Sequence, residues 1–343
     1  MRIYTIGFIL SLILFSSSIH AQNSQKEICA VAFYNLENLF HPTRDTTIND
    51  IDFTPEGSYR YTFDIYHKKL KNLAEVLNQL GVNKTPDGAA LIGVAEVENL
   101  QVLQDLVKEE KIKNRNYKIV HFDSPDRRGI DVALFYNPKY FRVLDAQSLF
   151  VDLKENDRRI YTRDVLYVKG ILLGDTTHVL VNHWPSRSGG EAASLWRRKA
   201  AAQVNKDKID EILAGNKDAK IIVMGDLNDD PISPSVVEVL KSTDKKNNLK
   251  FNELYNPWVS FYKKGLGTLG YNNSWNLFDQ IIISSAYLRN STGWSYFDAE
   301  IFNKKFLISQ FGRYKGFPHR SYSGTTWLDG YSDHFPTVIY LIK

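Results

Sequence analysis

Six short polar segments lie at or just after apolar runs, and their side chains are of the kinds that bind metals and move protons. The segments read YNLEN, GVAEVEN, VNHWPSR, MGDLNDD, FDQIII and YSDHFP. Because the end of a strand is rigid yet open to solvent, it can hold such a side chain with the accuracy that catalysis requires. We therefore expect the six segments to meet at one edge of two packed sheets. Their candidate residues are Asn35, Glu37, Glu96, His183, Asp226, Asn228, Asp279, Asp333 and His334.

This set of side chains favours a hard divalent cation. Carboxylates and amide oxygens suit Mg²⁺ or Mn²⁺, whereas a zinc hydrolase needs more imidazoles or thiolates at motif spacing, and neither HExxH nor CxxC occurs. The cation neutralises the charge of a phosphoryl group, and a histidine held in one tautomer by an aspartate takes a proton from water. The sequence thus predicts metal-dependent hydrolysis of a phosphoester.

The order of the segments resembles the endonuclease/exonuclease/phosphatase superfamily, which includes secreted deoxyribonucleases, abasic-site endonucleases, inositol-phosphate phosphatases and bacterial sphingomyelinases. The resemblance covers about residues 28 to 343. Its most specific marks are Asn35, Glu96, Gly225-Asp226-Leu227-Asn228 and Ser332-Asp333-His334. It implies an α/β fold, a four-layer α/β/β/α sandwich with two packed, mainly antiparallel sheets.

The resemblance also implies a role for each residue at the metal. Glu96 is the expected principal ligand, with Asn35 close by and Asp333 helping to hold the ion. Asp226 is expected to orient the attacking water or to bind a second metal, and Asn228 to contact the scissile phosphate.

Proton transfer and phosphate binding are assigned to a second group. His334 is the expected general base, oriented by Asp279, and His183 is expected near the phosphate on the leaving-group side. Arg163, in YTRDV, matches an arginine–acid pair that contacts phosphate in the deoxyribonucleases. Arg320, in the loop before the last motif, is a further candidate contact for substrate phosphate.

The sequence departs from the family pattern at several positions. Ala95 precedes Glu96 where glutamine is common, and Gln280 follows Asp279 where tyrosine, arginine or histidine is common. The acid that orients the second histidine has no clean match, because Asp131 lies one residue from the best placement. Glu37 is either a solvated loop acid or a residue that supports or binds the metal.

Other basic residues have two interpretations each. Four of them, around the Gly-Gly turn and the following helix, either hold phosphate or form a solvated helix face: Arg187, Arg197, Arg198 and Lys199. Lys68, Lys69 and Lys71 are predicted to form a solvated face.

Hydrophobic periodicity predicts the elements that must position these groups. We expect a loop over residues 41–62 and an irregular region over 288–330. Helices are predicted over residues 66–80, 100–107, 191–213 and 235–240, and strands over 89–95, 117–122, 132–136, 141–151, 164–173, 178–182, 220–224, 280–284 and 335–342. Strands and helices mix along the whole length, which favours one α/β domain with two sheets.

Composition sets the broader class. The chain has 343 residues, 43% hydrophobic and 24% charged, which excludes a disordered, collagen-like or coiled-coil protein. The net charge of +4 is too small to identify a nucleic-acid-binding protein or to exclude one. The single cysteine, Cys29, excludes an internal disulfide framework and a thiolate zinc cluster.

Residues 1–21 have the features of a secretory signal peptide: Arg2, an apolar run over residues 3–15, and a small-residue tail that ends at Ala21. We expect cleavage near Ala21, export to a periplasm or out of the cell, and a single domain over residues 22–343. The apolar run is too short to span a membrane comfortably. Stable membrane association is not expected, and the protein is expected to be a monomer.

Three functions are compatible with the sequence. The first is a secreted nuclease that cuts DNA or RNA with Mg²⁺ or Mn²⁺. The second is a phosphatase or phosphodiesterase of small phosphorylated molecules or lipid head groups, which the modest charge favours slightly. The third is a non-catalytic binding module of the same fold.

Overall fold

Aliphatic and β-branched segments form two large sheets in the computed structural model, which describes residues 26–289 and 293–343. The predicted signal peptide, residues 1–21, lies outside the described residues. In chain order the strands are β1 Ile28–Leu39, β2 Ala89–Val97, β3 Lys118–His121, β4 Asp131–Tyr136, β5 Phe141–Leu149, β6 Leu153–Glu155, β7 Arg158–Ile160, β8 Val165–Leu172, β9 Asp175–His183, β10 Lys220–Asp226, β11 Ser242–Thr243, β12 Leu254–Tyr255, β13 Leu269–Tyr271, β14 Ser274–Asn276, β15 Asp279–Ser284, β16 Ser295–Ile301, β17 Tyr322–Ser323, β18 Thr326–Trp327 and β19 Thr337–Ile342.

Within these described ranges, four α-helices accompany the strands: α1 Phe63–Gln79, α2 Leu100–Val107, α3 Glu191–Gly215 and α4 Trp258–Lys263. The predicted helix over 235–240 is a π-helical turn, Ser235–Val239. Helix α1 begins before the predicted residue 66 because the side chain of Thr62 accepts a hydrogen bond from the Ile65 amide and caps it.

The two sheets are mixed but mainly antiparallel, as predicted. The first has the strand order β16-β19-β1-β2-β4-β3, and the second has the order β11-β12-β15-β10-β9-β8-β5. Parallel pairing joins β1 to β2, β9 to β10, and β11 to β12, while the other neighbours are antiparallel.

Strand alternation explains the layers. On β1, Val31 and Phe33 face the second sheet and pack in the same cluster as Met224 and Ile283. The intervening residues of β1 face α1 and α2. On the other side, α3 packs against the outer face of the second sheet, with Ile209 among its buried residues. The predicted α/β/β/α sandwich is therefore confirmed.

Several short strands were missed by the sequence analysis, and β16 is one of them. The region 288–330 was predicted to be irregular, but Ser295–Ile301 forms β16 at the edge of the first sheet, where it pairs with β19. Its sequence SYFDAEI carries Asp298 and Glu300, and such polar residues are depleted in strands. An edge strand tolerates them because one of its sides faces solvent.

The strand register brings the polar segments together. Asp226, at the end of β10, is paired with His183 of β9 on one side and with Asp279 of β15 on the other. In the first sheet, Asn35 of β1 is paired with Ala95 of β2, next to Glu96. Three strand ends in one sheet and two neighbouring strands in the other thus supply five of the predicted site residues, namely Asn35, Glu96, His183, Asp226 and Asp279.

The core between the sheets should dominate stability. Ile283 is fully buried there, so Ile283→Ala is expected to lower the free energy of unfolding by about 2–5 kcal/mol in urea titrations. Leu144→Ala, at a position of β5 that is 46% exposed, is expected to change it by less than about 0.5 kcal/mol. Equal effects of the two substitutions would contradict this assignment of the core.

Candidate active site

Asn35 connects carboxylates that come from the two sheets. Its Nδ2 donates to Oδ2 of Asp226 at 3.1 Å and to Oε1 of Glu96 at 3.2 Å. The other oxygen of Glu96 accepts from the backbone amide of Asn38 at 2.9 Å. Glu96 has a positive φ of 60°, so the backbone turns where the carboxylate enters the site. Hydrogen bonds donated by β1 therefore hold the two acids, one from each sheet, close together.

The orientation of the Asn35 amide follows from a second contact. Its Oδ1 accepts from the backbone N–H of Glu37 at 2.9 Å, which leaves Nδ2 facing the carboxylates. Asn35 thus lies close to Glu96, as expected, and it positions the acids in this geometry. A direct bond from Asn35 to a metal stays a prediction.

His183 adds the third corner of a potential cation site. Its Nε2 lies 3.8 Å from Oε1 of Glu96 and 3.7 Å from Oδ2 of Asp226. One donor atom of each of the three residues lies within 4.8 Å of the other two. Burial raises the pKa of Asp226 to about 7, because its charged form is desolvated and lies beside other acids. Two carboxylates and an imidazole in a dry setting fit a divalent cation, which would stabilise their charge.

Asp279 orients His334 toward this cluster. Oδ2 of Asp279 lies 2.7 Å from Nδ1 of His334, and both side chains are buried. Burial by itself lowers the pKa of His334, but the Asp279 carboxylate outweighs it and holds the pKa well above its ordinary value. Nε2 then lies 3.9 Å from Oδ2 of Asp226. This is the arrangement expected of a histidine base with an orienting aspartate.

Ser332 ties the last motif to β1. Its hydroxyl donates to the backbone oxygen of Asn35 at 2.7 Å and accepts from the amide of His334 at 3.1 Å. The serine of the YSDHFP segment therefore fixes the position of the His334 backbone relative to Asn35.

Asn228 follows Asp226 in a tight turn with a positive φ of 48°. Its amide N–H donates to Oδ1 of Asp226 at 2.9 Å, and its Nδ2 donates to the carbonyl of Trp184 at 2.9 Å. The side chain thus lies beside the residue that follows His183. Contact with the scissile phosphate stays a prediction.

Arg163 is engaged differently from the predicted phosphate contact. Its guanidinium is buried and binds Asp126 at 3.0 Å, the carbonyl of His183 at 3.1 Å and the carbonyl of Trp184. Since all three guanidinium nitrogens have protein partners, the observed contacts position the His183 segment. Direct phosphate binding by Arg163 stays a prediction.

Asp131 does not contact His183. It binds His121 at 2.9 Å and Ser124 at 2.6 Å instead. Nδ1 of His183 is buried and has no hydrogen-bond partner among the described residues. Burial, reinforced by the charge of Arg163, lowers the pKa of His183 well below its ordinary value, so its imidazole is neutral.

Arg320 and Asp333 border a cleft beside the cluster. A nitrogen of Arg320 lies 2.7 Å from Oδ2 of Asp333, whose other oxygen is 3.9 Å from Nε2 of His334. The guanidinium also lies over the ring of Tyr314 at 4.5 Å. The cleft has a volume of about 250 Å³ and is lined by Glu37, Asn38, Phe53, Tyr59, Arg320, Tyr322, Gly324 and Asp333.

Glu37 is buried, so its interpretation as a solvated loop acid is wrong. Its carboxylate accepts from the amide of Ser321 at 2.6 Å. Lys69 is also buried, contrary to prediction, and donates to the Glu37 carbonyl at 2.6 Å and to the Ser321 hydroxyl at 2.7 Å. These contacts hold the loop before β19 against β1 and α1. Helical spacing could have identified the burial of Lys69, because it lies three residues after Tyr66 and four before Leu73 on the apolar face of α1, unlike its exposed neighbours Lys68 and Lys71.

The basic residues around α3 mostly form ion pairs. Arg198 is fully buried and lies 2.7 Å from Asp229, which Arg187 also contacts at 3.2 Å. Neither of the two predicted roles, phosphate binding or a solvated face, fits Arg198. The pair attaches the loop after Asp226 to the helix. Lys199 and Arg197 pair with Glu238 and Glu155 on the surface.

Comparisons with known proteins agree with this architecture. A sequence profile of the endonuclease/exonuclease/phosphatase family matches residues 30–343. No curated protein sequence matches the chain.

Similar solved structures include TDP2 of D. rerio, humanized by 14 mutations, with TM-score 0.55 and 14% identity over 92% of this chain and 98% of that one. An endonuclease/exonuclease/phosphatase family protein of Bacteroides thetaiotaomicron has TM-score 0.55 and 15% identity over 93% and 98% of the two chains. A mannosyl-6-phosphatase of the same organism has TM-score 0.54 and 16% identity over 92% and 100%. At these identities the likeness concerns the fold.

Cation binding should depend on Glu96. Glu96→Gln is expected to weaken binding of Mn²⁺ by about tenfold or more in isothermal titration, because a carboxylate ligand becomes neutral. Glu98→Gln is the matched control, since Glu98 is buried nearby but accepts from the amide of His41 at 2.7 Å. Equal Mn²⁺ affinity of Glu96→Gln and the wild type would contradict the site.

Proposed function

Since this chain belongs to the endonuclease/exonuclease/phosphatase family, whose enzymes hydrolyse phosphoric esters with a divalent metal, we propose that it is a nuclease that cleaves DNA or RNA. The observation that carries the proposal is the corner formed by Glu96, Asp226 and His183 beside the Asp279-bound imidazole of His334. It combines a cation site and a proton acceptor within one buried cluster.

Each residue of the cluster has a separate role in the attack of water on the phosphorus. In its neutral form, His334 accepts the proton of the attacking water at Nε2, and Asp279 stabilises the imidazolium that results. Asp226 lies within 3.9 Å of that nitrogen and orients the water. Glu96, Asp226 and His183 would hold Mg²⁺ or Mn²⁺, which would neutralise the phosphoryl charge. Asn228 and Arg320 bind the phosphate oxygens.

A diester is supported by the placement of these contacts. Arg320 and Asp333 border the cluster on the loop before β19, in the first sheet. Asn228 and His183 border it at the ends of β10 and β9, in the second sheet. Groups on both sides of the cluster suit a substrate that continues on both sides of the scissile phosphorus.

A second candidate is a phosphatase of small phosphorylated molecules. The cleft of about 250 Å³ beside Asp333 favours it, since it has room for one compact ring next to aromatic side chains. A mannosyl-6-phosphatase is among the proteins of similar fold. The small net charge is also compatible with a small substrate.

We further propose that the protein is exported, on the features of residues 1–21. In the described residues, no helix combines the length and the apolar character needed to cross a membrane.

A substrate panel tests the activity. With Mg²⁺, the mature chain is expected to cleave plasmid, single-stranded DNA or RNA, to lose activity with a chelator, and to weaken steeply as salt rises. Inositol phosphates, mannose 6-phosphate and sphingomyelin complete the panel. If only a small ester is cleaved and the rate does not depend on salt, the nuclease proposal is rejected in favour of the phosphatase.

The role of the Asp279–His334 pair can be tested through the pH dependence of the rate. Asp279→Asn is expected to lower kcat about 10²- to 10⁴-fold. Its acidic limb in the pH–rate profile should move to lower pH, because the carboxylate that raises the pKa of His334 is gone. Asp175→Asn, at the opposite end of β9, is the matched control and should leave the profile unchanged. A limb that stays in place in Asp279→Asn would rule out His334 as the base.

A further inference from the structure

An exposed stack of guanidinium groups and aromatic rings lies beside the site. The guanidinium of Arg127 is 4.6 Å from the ring of Tyr161, and that of Arg159 is 4.7 Å from Tyr161 and 4.7 Å from Phe150. Tyr161 is 39% exposed and Phe150 is 47% exposed. We call these four residues the arginine–aromatic stack.

Strand register places the stack at the catalytic end of both sheets. Tyr161 and Phe150 lie just outside the paired residues Val165 and Leu149, where β8 begins and β5 ends. This is the end at which β9 finishes, because β8 and β9 are antiparallel. Arg127 lies in the loop before β4, whose first residue, Asp131, is paired with Val97, next to Glu96.

Direct contacts connect the stack to the site. Arg163, two residues after Tyr161, binds Asp126 at 3.0 Å and the carbonyl of His183 at 3.1 Å. Asp126 in turn immediately precedes Arg127. A chain of adjacent residues and hydrogen bonds therefore runs from His183 to the stack.

The two arginines of the stack differ from the other basic residues near the site. Arg187, Arg198 and Arg320 each form an ion pair with a carboxylate. Among the described residues, by contrast, no carboxylate oxygen lies within 4.0 Å of the guanidinium of Arg127 or Arg159. A guanidinium stacked on a ring keeps its N–H edge available, and that edge matches two phosphate oxygens.

We propose that Arg127 and Arg159 bind backbone phosphates of a nucleic-acid strand that leaves the catalytic cluster on the His183 side. Tyr161 and Phe150 hold the two guanidinium groups in place for this contact. The inference rests on the proposed nuclease function and names its substrate as a polymer, since a strand carries successive phosphates that can bind the cluster and the stack together.

Binding without hydrolysis tests the proposal. Fluorescence anisotropy with a labelled single-stranded DNA of about 20 nucleotides, in EDTA and at several salt concentrations, gives the Kd and its salt dependence. Arg127→Gln and Arg159→Gln are each expected to raise the Kd about three- to tenfold. Each should also reduce the slope of log K against log salt by about 0.7, the value for one lost phosphate contact on a single strand.

Lys217→Gln is the matched control, because it removes one positive charge at the opposite end of the second sheet. Lys217 lies 5.7 Å from the ring of Phe251 and precedes the start of β10. Tyr161→Ala is expected to raise the Kd while its slope stays near that of the wild type. Circular dichroism melts of all variants establish that they are folded.

If Arg127→Gln and Arg159→Gln match Lys217→Gln in Kd and slope, or if the wild type does not bind the DNA, the proposal is overturned. Cleavage of the same DNA with Mg²⁺ is measured separately. If the wild type cleaves DNA and the arginine variants bind it normally, the proposed nuclease function stands and the phosphate-binding role of the stack is rejected. If binding depends on the two arginines but the wild type does not cleave DNA, the phosphate-binding role of the stack stands and the proposed nuclease function is rejected.

Discussion

The hydrogen bonds of Asn35 to Asp226 and Glu96 are the constraint on which the site depends. Each sheet supplies one of the two carboxylates, and one amide group bridges them at 3.1 and 3.2 Å. Because Asp226 is also the register partner of both His183 and Asp279, a shift of β10 by one residue would displace three candidate groups at once. The geometry of the cluster therefore depends directly on how the two sheets pack.

Buried acids at this junction are costly unless something offsets their charge. His334 and the hydrogen-bonding amides offset part of it, while burial keeps the pKa of Asp226 raised. The buried basic residues around the cluster serve a different purpose. Arg198 with Asp229, and Lys69 with the backbone of Glu37, attach the segments that carry candidate catalytic groups to the helices on the outside of each sheet.

Much of this arrangement could be predicted from the sequence, because apolar periodicity and short polar motifs act locally. The bounds of α2 and the segments that carry Asp226, Asp279 and His334 are examples. The missed features depend on tertiary contacts. Lys69 is buried because Glu37 and Ser321 meet it there, and β16 forms because β19 offers an edge. Asp131 pairs with His121, and nothing local in the sequence distinguishes that partner from His183.

The central claim is that Glu96, Asp226 and His183, brought together from two sheets, hold a divalent cation. The most direct measurement is an anomalous difference map from crystals soaked in Mn²⁺. A peak bounded by these three side chains is the predicted result. A peak at the second acidic cluster, His121, Asp123 and Asp131, with none beside Asp226 would contradict the account.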